Sequence, residues 1–166
     1  ATNTLITDFG NHTAQVANVI PPQRAGRIAT IAGATDNTGW CAIDPVTFES
    51  KSVPNIHVIG DACLAGAMPK SAFSANSQAK VCAAAIATLL SGGTPVAPKL
   101  INTCYSFAAP GYGISVAGVY QPRNGVLADV EGAGGVSPAD APREVRAREA
   151  DYAQSWFTTA TAEVFG

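Results

Sequence analysis

The residues whose types and spacing could do chemistry are Ile56-His57-Val58-Ile59-Gly60-Asp61-Ala62, followed by Met68-Pro69-Lys70-Ser71. An apolar run ends in Gly60-Asp61, a short loop follows, and a helix begins. Gly60 lets the backbone approach a ligand closely. Asp61 sets a carboxylate at the end of the run, suited to accept hydrogen bonds from a sugar or ribityl hydroxyl. The helix beyond aims unpaired N–H groups at whatever lies ahead, which favours an anion or an electron-rich ring edge.

Such a set suits the ring and ribityl end of a flavin dinucleotide. Gly-Asp at a strand end also serves turn geometry with no ligand at all. The pyrophosphate half of a dinucleotide site is missing. Gly132, Gly134 and Gly135 do not make G-x-G-x-x-G, so no phosphate-cradling fingerprint is carried here.

The elements that must position these residues read as α/β, then α+β. Thr4 to Ile6 and Val16 to Ile20 read as strand pieces, and Pro21-Pro22 punctuates a crossing between units. Gly26 to Gly33 is a short apolar segment of helical character, and Trp40 to Asp44 reads as a strand. Pro45 to Pro54 is a turn-rich bridge, and Ile56 to Ile59 a short buried strand of a parallel or mixed sheet. Ser71 or Ser74 caps an Ala-rich helix to about Leu90, with Val81, Cys82, Ala85, Ile86 and Leu89 on its apolar face. Ser91-Gly92-Gly93 stops it.

Leu100 to Phe107, Gly113 to Tyr120 and Val126 to Val130 then read as strands, with Asn124-Gly125 as a hairpin turn. Gly132 to Pro138 is a loop. Asp140 caps a last helix with Pro142 in its first turn. Along that helix Val145, Tyr152, Ala153, Trp156, Ala160 and Val164 recur at helical spacing. The expected division is 1–21, 22–94 and 95–166.

At 166 residues, 47% hydrophobic and 13% charged, the chain has enough apolar content for a sizeable core. Its net charge of -2 argues against a nucleic-acid partner. No apolar run approaches the roughly 20 residues of a membrane span. The opening Ala1-Thr2-Asn3-Thr4 has neither the charged nor the apolar region of a secretory signal. Cys41, Cys63, Cys82 and Cys104 are widely spaced, form no C-x-x-C and cluster with neither His12 nor His57, so no metal site is expected. Cys63 and Cys82 read as core thiols.

Several separated blocks carry a resemblance. They include Asn18 to Gly26, Gly39-Trp40-Cys41, Thr47 to Ser50, Met68 to Ser71, Ser74 to Gln78, Asn102-Thr103-Cys104-Tyr105, Tyr112 to Val116 and Phe165-Gly166. In order along nearly the whole chain, they resemble the flavoprotein subunit of flavocytochrome c sulfide dehydrogenase. The segment Val53 to Asp61 is similar to the closing part of an FAD domain of the disulfide-reductase type. The resemblance implies a periplasmic enzyme that oxidises sulfide and passes electrons through FAD to a c-type haem subunit. It also implies that this chain is the C-terminal part of a longer flavoprotein. Residues 1–21 would end a second dinucleotide-like domain, 22–94 would close a Rossmann-like FAD domain, and 95–166 would form a small interface domain.

Under that resemblance Gly60 and Asp61 bind the ribityl chain, and Met68, Pro69, Lys70 and Ser71 face the pyrimidine end of the ring, where a helix end stabilises negative charge. Cys104 is one half of a redox disulfide whose partner matches nothing in this sequence. Trp156 lies near the flavin on the side of the haem partner, whereas on spacing alone it is core. Phe73 stands where the family can have tyrosine, so it is given no proton-transfer role. Cys104 would otherwise read as a plain strand cysteine, and Lys70 as a solvated helix-start charge.

Two alternatives remain from the sequence. A sulfide:quinone oxidoreductase would need a membrane-facing amphipathic surface. The last helix instead sets Arg143, Arg146, Arg148 and Glu149 opposite small residues. A non-catalytic docking module is the other. Without further chain around residues 56–90, exposed apolar surface and association are expected.

Overall fold

The computed structural model describes residues 3–166. The reading that touches Ala1 and Thr2 lies outside the described residues. Near the start, β1 (Thr4–Thr7) pairs antiparallel with β2 (Gly10–Thr13). The Thr7 hydroxyl donates to the Gly10 carbonyl at 3.0 Å and closes the turn between them. The strand expected over Val16 to Ile20 does not form, and β1 pairs instead with β2. Val16 and Ile20 are left exposed. A short helix, α1 (Arg27–Ile31), falls inside the apolar Gly26–Gly33 segment and buries Ala29 alone.

Strand β3 (Cys41–Ala42) pairs in parallel with β4 (Cys63–Leu64). The sequence places the buried strand at Ile56–Ile59, before Gly60-Asp61; the structure places it after them. The Asp44–Val58 stretch explains the shift, since it satisfies its own backbone. The Asp44 carboxylate accepts from the Val46 and Thr47 amides at 2.9 Å each. Ser50 N–H donates to the Ile56 carbonyl at 2.7 Å, and Val58 N–H to that of Phe48 at 2.9 Å. Residues 56–59 therefore close a loop and join no sheet; Ile56 is 40% and Ile59 37% exposed. Gly60–Ala62 forms one turn of 3-10 helix ahead of β4. Of the expected Rossmann-like segment, the parallel order seen among the described residues is this two-residue pair.

Helix α2 (Ala72–Leu90) begins where Ser71 turns to extended backbone, its hydroxyl accepting the Ser74 N–H at 3.0 Å. Its buried stripe is Ser74, Gln78, Cys82 and Ala85. That stripe is more polar than the sequence implied, and Leu89 lies exposed beyond it.

A four-stranded antiparallel sheet follows. Strand β5 (Leu100–Ala109) pairs with β6 (Tyr112–Arg123), which on its other edge takes β7 (Val126–Asp129) and β8 (Gly135–Val136). Asn124 and Gly125 both have positive φ, as a type I′ hairpin requires. Helix α3 (Arg143–Phe165) starts from Pro142 rather than Asp140, with no side-chain cap. Proline supplies the turn into the helix without needing a partner for a missing N–H. A Cβ on Gly113 would overlap the Ala150 backbone nitrogen, so bare backbone on β6 admits α3 this closely.

Such an approach buries the small Ala150 and Ala153 and leaves Tyr152 and Val164 outside. Arg146, read from sequence as part of a polar face, is instead 2% exposed. The main core joins loop, helix and sheet through Phe48, Cys63, Met68, Cys82, Leu100, Tyr120 and Leu127. Among the described residues no helix is long and apolar enough to cross a membrane.

Candidate functional site

A cleft of about 410 Å³ opens where the start of α2, strand β5 and helix α3 meet. Each wall is set by a local rule. The serine cap stops α2 at Ser71 and leaves the first-turn amides beside the opening. Strand β5 carries Thr103, Cys104 and Tyr105 past it, and α3 brings Gln154, Trp156 and Phe157 from the far side. Phe73 and Trp156 stack with ring centroids 5.4 Å apart and planes 18° from parallel, an offset arrangement of the favourable kind. The cleft is aromatic, with one sulfur.

That sulfur differs from the chain's other three. All four cysteines are free, but Cys41, Cys63 and Cys82 are buried and Cys104 is partly exposed. Burial pushes the Cys63 thiol up to about 11 and raises those of Cys41 and Cys82. A thiol so raised is a poor nucleophile near neutral pH. Cys104 Sγ accepts a hydrogen bond from Asn102 Nδ2 at 3.3 Å.

Of the residues singled out from sequence, Ser71, Cys104 and Trp156 line this one cleft. Gly60 and Asp61 do not. Gly60, at φ +67°, gives its N–H to Gln78 Oε1 at 2.7 Å. The exposed Asp61 has a carboxylate without a hydrogen-bond partner among the described residues, so it is free to accept from hydroxyls. Met68 is buried, its sulfur accepting from Gln78 Nε2 at 3.5 Å. Pro69 is half-buried beside it. The Lys70 ammonium binds the Asp61 carbonyl, donates to the Cys63 carbonyl at 3.1 Å and lies 4.0 Å above the Trp40 ring. It clasps the Gly60–Ala62 turn to β4.

Ser74, Gln78 and Asn102 stand in the blocks that carry the resemblance, Ser74 also as a candidate cap, but the sequence assigns them no site role; all three are buried polar side chains. Ser74 and Gln78 recur four residues apart on the inner face of α2, and that spacing was the available signal. Asn102 was marked only as the first residue of the block that holds Cys104. Among the described residues no group of three His, Cys, Asp or Glu side chains is placed to hold a metal.

A flat, electron-accepting ring fits the aromatic walls, the helix-start amides and the sulfur of this cleft, and the unpaired Asp61 carboxylate fits a hydroxylated chain. Residues 96–165 match the family model described as flavocytochrome c sulphide dehydrogenase, flavin-binding. The match takes in β5 through α3, hence two of the three cleft walls. The C-terminal part of the chain is thus similar to that flavin-binding domain, which is consistent with FAD as cofactor and points to an oxidoreductase.

Proposed function

We propose, from the flavin-binding domain at residues 96–165, that the chain serves an FAD-dependent sulfide:cytochrome c oxidoreductase of the periplasm. In this reading it forms the C-terminal part of the flavoprotein, with residues 22–94 closing the FAD domain. The observation that carries it is Cys104, the one partly exposed thiol, in the same aromatic cleft as the α2 N-terminus.

FAD, when bound, supplies an acceptor for two electrons that a c-type cytochrome partner can withdraw singly. The chain's own residues have other tasks. Phe73 and Trp156 provide a flat apolar wall, and the first-turn amides of α2 favour negative charge beside it. The Asp61 carboxylate takes ribityl hydroxyls. Cys104 forms a disulfide with a cysteine that this sequence does not contain. Sulfide attacks that disulfide: a new S–S bond joins the incoming sulfur to one cysteine as the old bond breaks and the other leaves as thiolate. Lys70 holds the loop and is not itself a lining residue of the cleft.

Titrating FAD into the full chain while following tryptophan fluorescence tests the ring-binding wall. Saturable quenching is expected, and it should fall sharply in Trp156→Phe, since Trp40 lies apart from the cleft. Quenching that is absent, or unchanged in that variant, overturns the assignment of the cleft. With sulfide and oxidised cytochrome c added, this chain alone is expected to reduce no haem, because the second sulfur is missing.

A further inference from the structure

The buried side chain of Asn102 connects the cap of α2 to the cleft sulfur. Asn102 is 2% exposed. The Ser71 hydroxyl already accepts the Ser74 N–H at 3.0 Å, so its proton is free to donate to Asn102 Oδ1 at 2.5 Å. The Ser74 hydroxyl donates to the same oxygen at 3.1 Å. Two hydroxyls donating to this one oxygen hold the amide with its Oδ1 toward the helix cap. The other end of the amide faces the sulfur: Asn102 Nδ2 donates to Cys104 Sγ at 3.3 Å.

We propose that Asn102 is the positioning residue of Cys104, holding an N–H on its sulfur so that negative charge there is stabilised. Hydrogen bonds to charged acceptors are stronger than to neutral ones, so the contact tightens as negative charge builds on the sulfur during attack and departure. Ser71 and Ser74 act at one remove by locking the amide. The same serine thereby caps α2 and aims the group that tunes the sulfur, so helix start and thiol are set together. The inference rests on the redox role proposed for Cys104, but its readout does not need that role.

The test is alkylation of the full chain by iodoacetamide, in which the Cys104 sulfur forms a C–S bond and iodide departs, with the Cys104 peptide quantified by mass spectrometry. Asn102→Leu keeps the shape of the side chain and removes the N–H donor without adding charge. Alkylation at neutral pH is expected to slow by about tenfold, and the rate profile to move to higher pH. Ser71→Gly, which keeps a tolerable helix cap, should slow it by about twofold through a loosened amide. A purely structural role would leave the pH profile in place. If both variants alkylate as the parent does, with an unmoved profile, the proposal is wrong. Failure of FAD to quench Trp156 with the alkylation effect intact would remove the flavin reading and leave Asn102 in its role.

Discussion

The sheet of β5 to β8 with α3 buries a set of large apolar side chains, whereas the stretch from residue 3 to α1 buries none of its own. In the first, Leu100, Tyr120 and Leu127 are buried against α2 and the loop around Phe48. In the second, Ile6, Phe9, Val16, Ile20, Ile28 and Ile31 all face outward. The difference lies in partners. Strand β6 has neighbours on both edges, and its glycine lets α3 close over one face. Among the described residues strands β1 and β2 pair only with each other, and a lone hairpin is at best marginal in water. The candidate site follows that division: Cys104 and Trp156 stand on the elements that bury their own core.

The contrast breaks most visibly at the polar clamp beneath α3. Arg146 donates to Glu149 at 3.2 Å and to the Pro138 carbonyl, with its side chain 3% exposed. The Ser115 hydroxyl reaches Glu149 at 2.9 Å, and that of Ser137 binds the same oxygen. Glu149→Ala strands a guanidinium in the interior and should cost about 3 kcal/mol in urea unfolding. A loss below about 1 kcal/mol would mean that water reaches the pair. Leu127→Ala should cost about 2–3 kcal/mol by cavity formation, read in the same way.

The clamp also sets an acid limit. Hydrogen bonds, first from Ser137, hold the Glu149 carboxyl below its ordinary value of 4.5. A carboxyl depressed on folding contributes stability that is fully present above that value and lost as pH falls through the folded one. Unfolding free energy should therefore drop with acid below about pH 4.5, and Glu149→Gln should flatten part of that slope. Equal slopes in the two proteins would remove Glu149 from the acid response. The exposed Glu163, whose carboxyl is held down first by the hydrogen bond from Lys80, acts in the same direction.

Elements with strong local codes were legible in the sequence. Alanines with a serine cap and a glycine stop gave α2 almost to the residue, and Asn124-Gly125 gave the β6–β7 turn. Cys104 and Trp156 were legible as candidates through resemblance, while their convergence with Ser71 is a matter of packing. Choices between competing partners were not legible. Ile56–Ile59 has strand composition, but the Asp44 and Ser50 turns satisfy the backbone first. Arg146 looks solvent-facing by type, yet Glu149 and the Pro138 carbonyl make a buried site for it. Asn102 gained its place from two serines about thirty residues away, which no local pattern reports.

The smallest expected effect is the sharpest check on the comparison. Phe9, at the turn between β1 and β2, is 98% exposed. Phe9→Ala removes no folded contact, so unfolding free energy should change by less than about 0.5 kcal/mol. Its consequence should lie in association. Exposed apolar side chains clustered in this stretch favour self-contact, so sedimentation of the parent should depend on concentration, and less so in the variant. Sharp monomer behaviour of the parent would show that the outward side chains are too scattered to act as a surface. A loss above about 1 kcal/mol in the variant would mean more: the hairpin would be packed on the body, and the two regions would share one core.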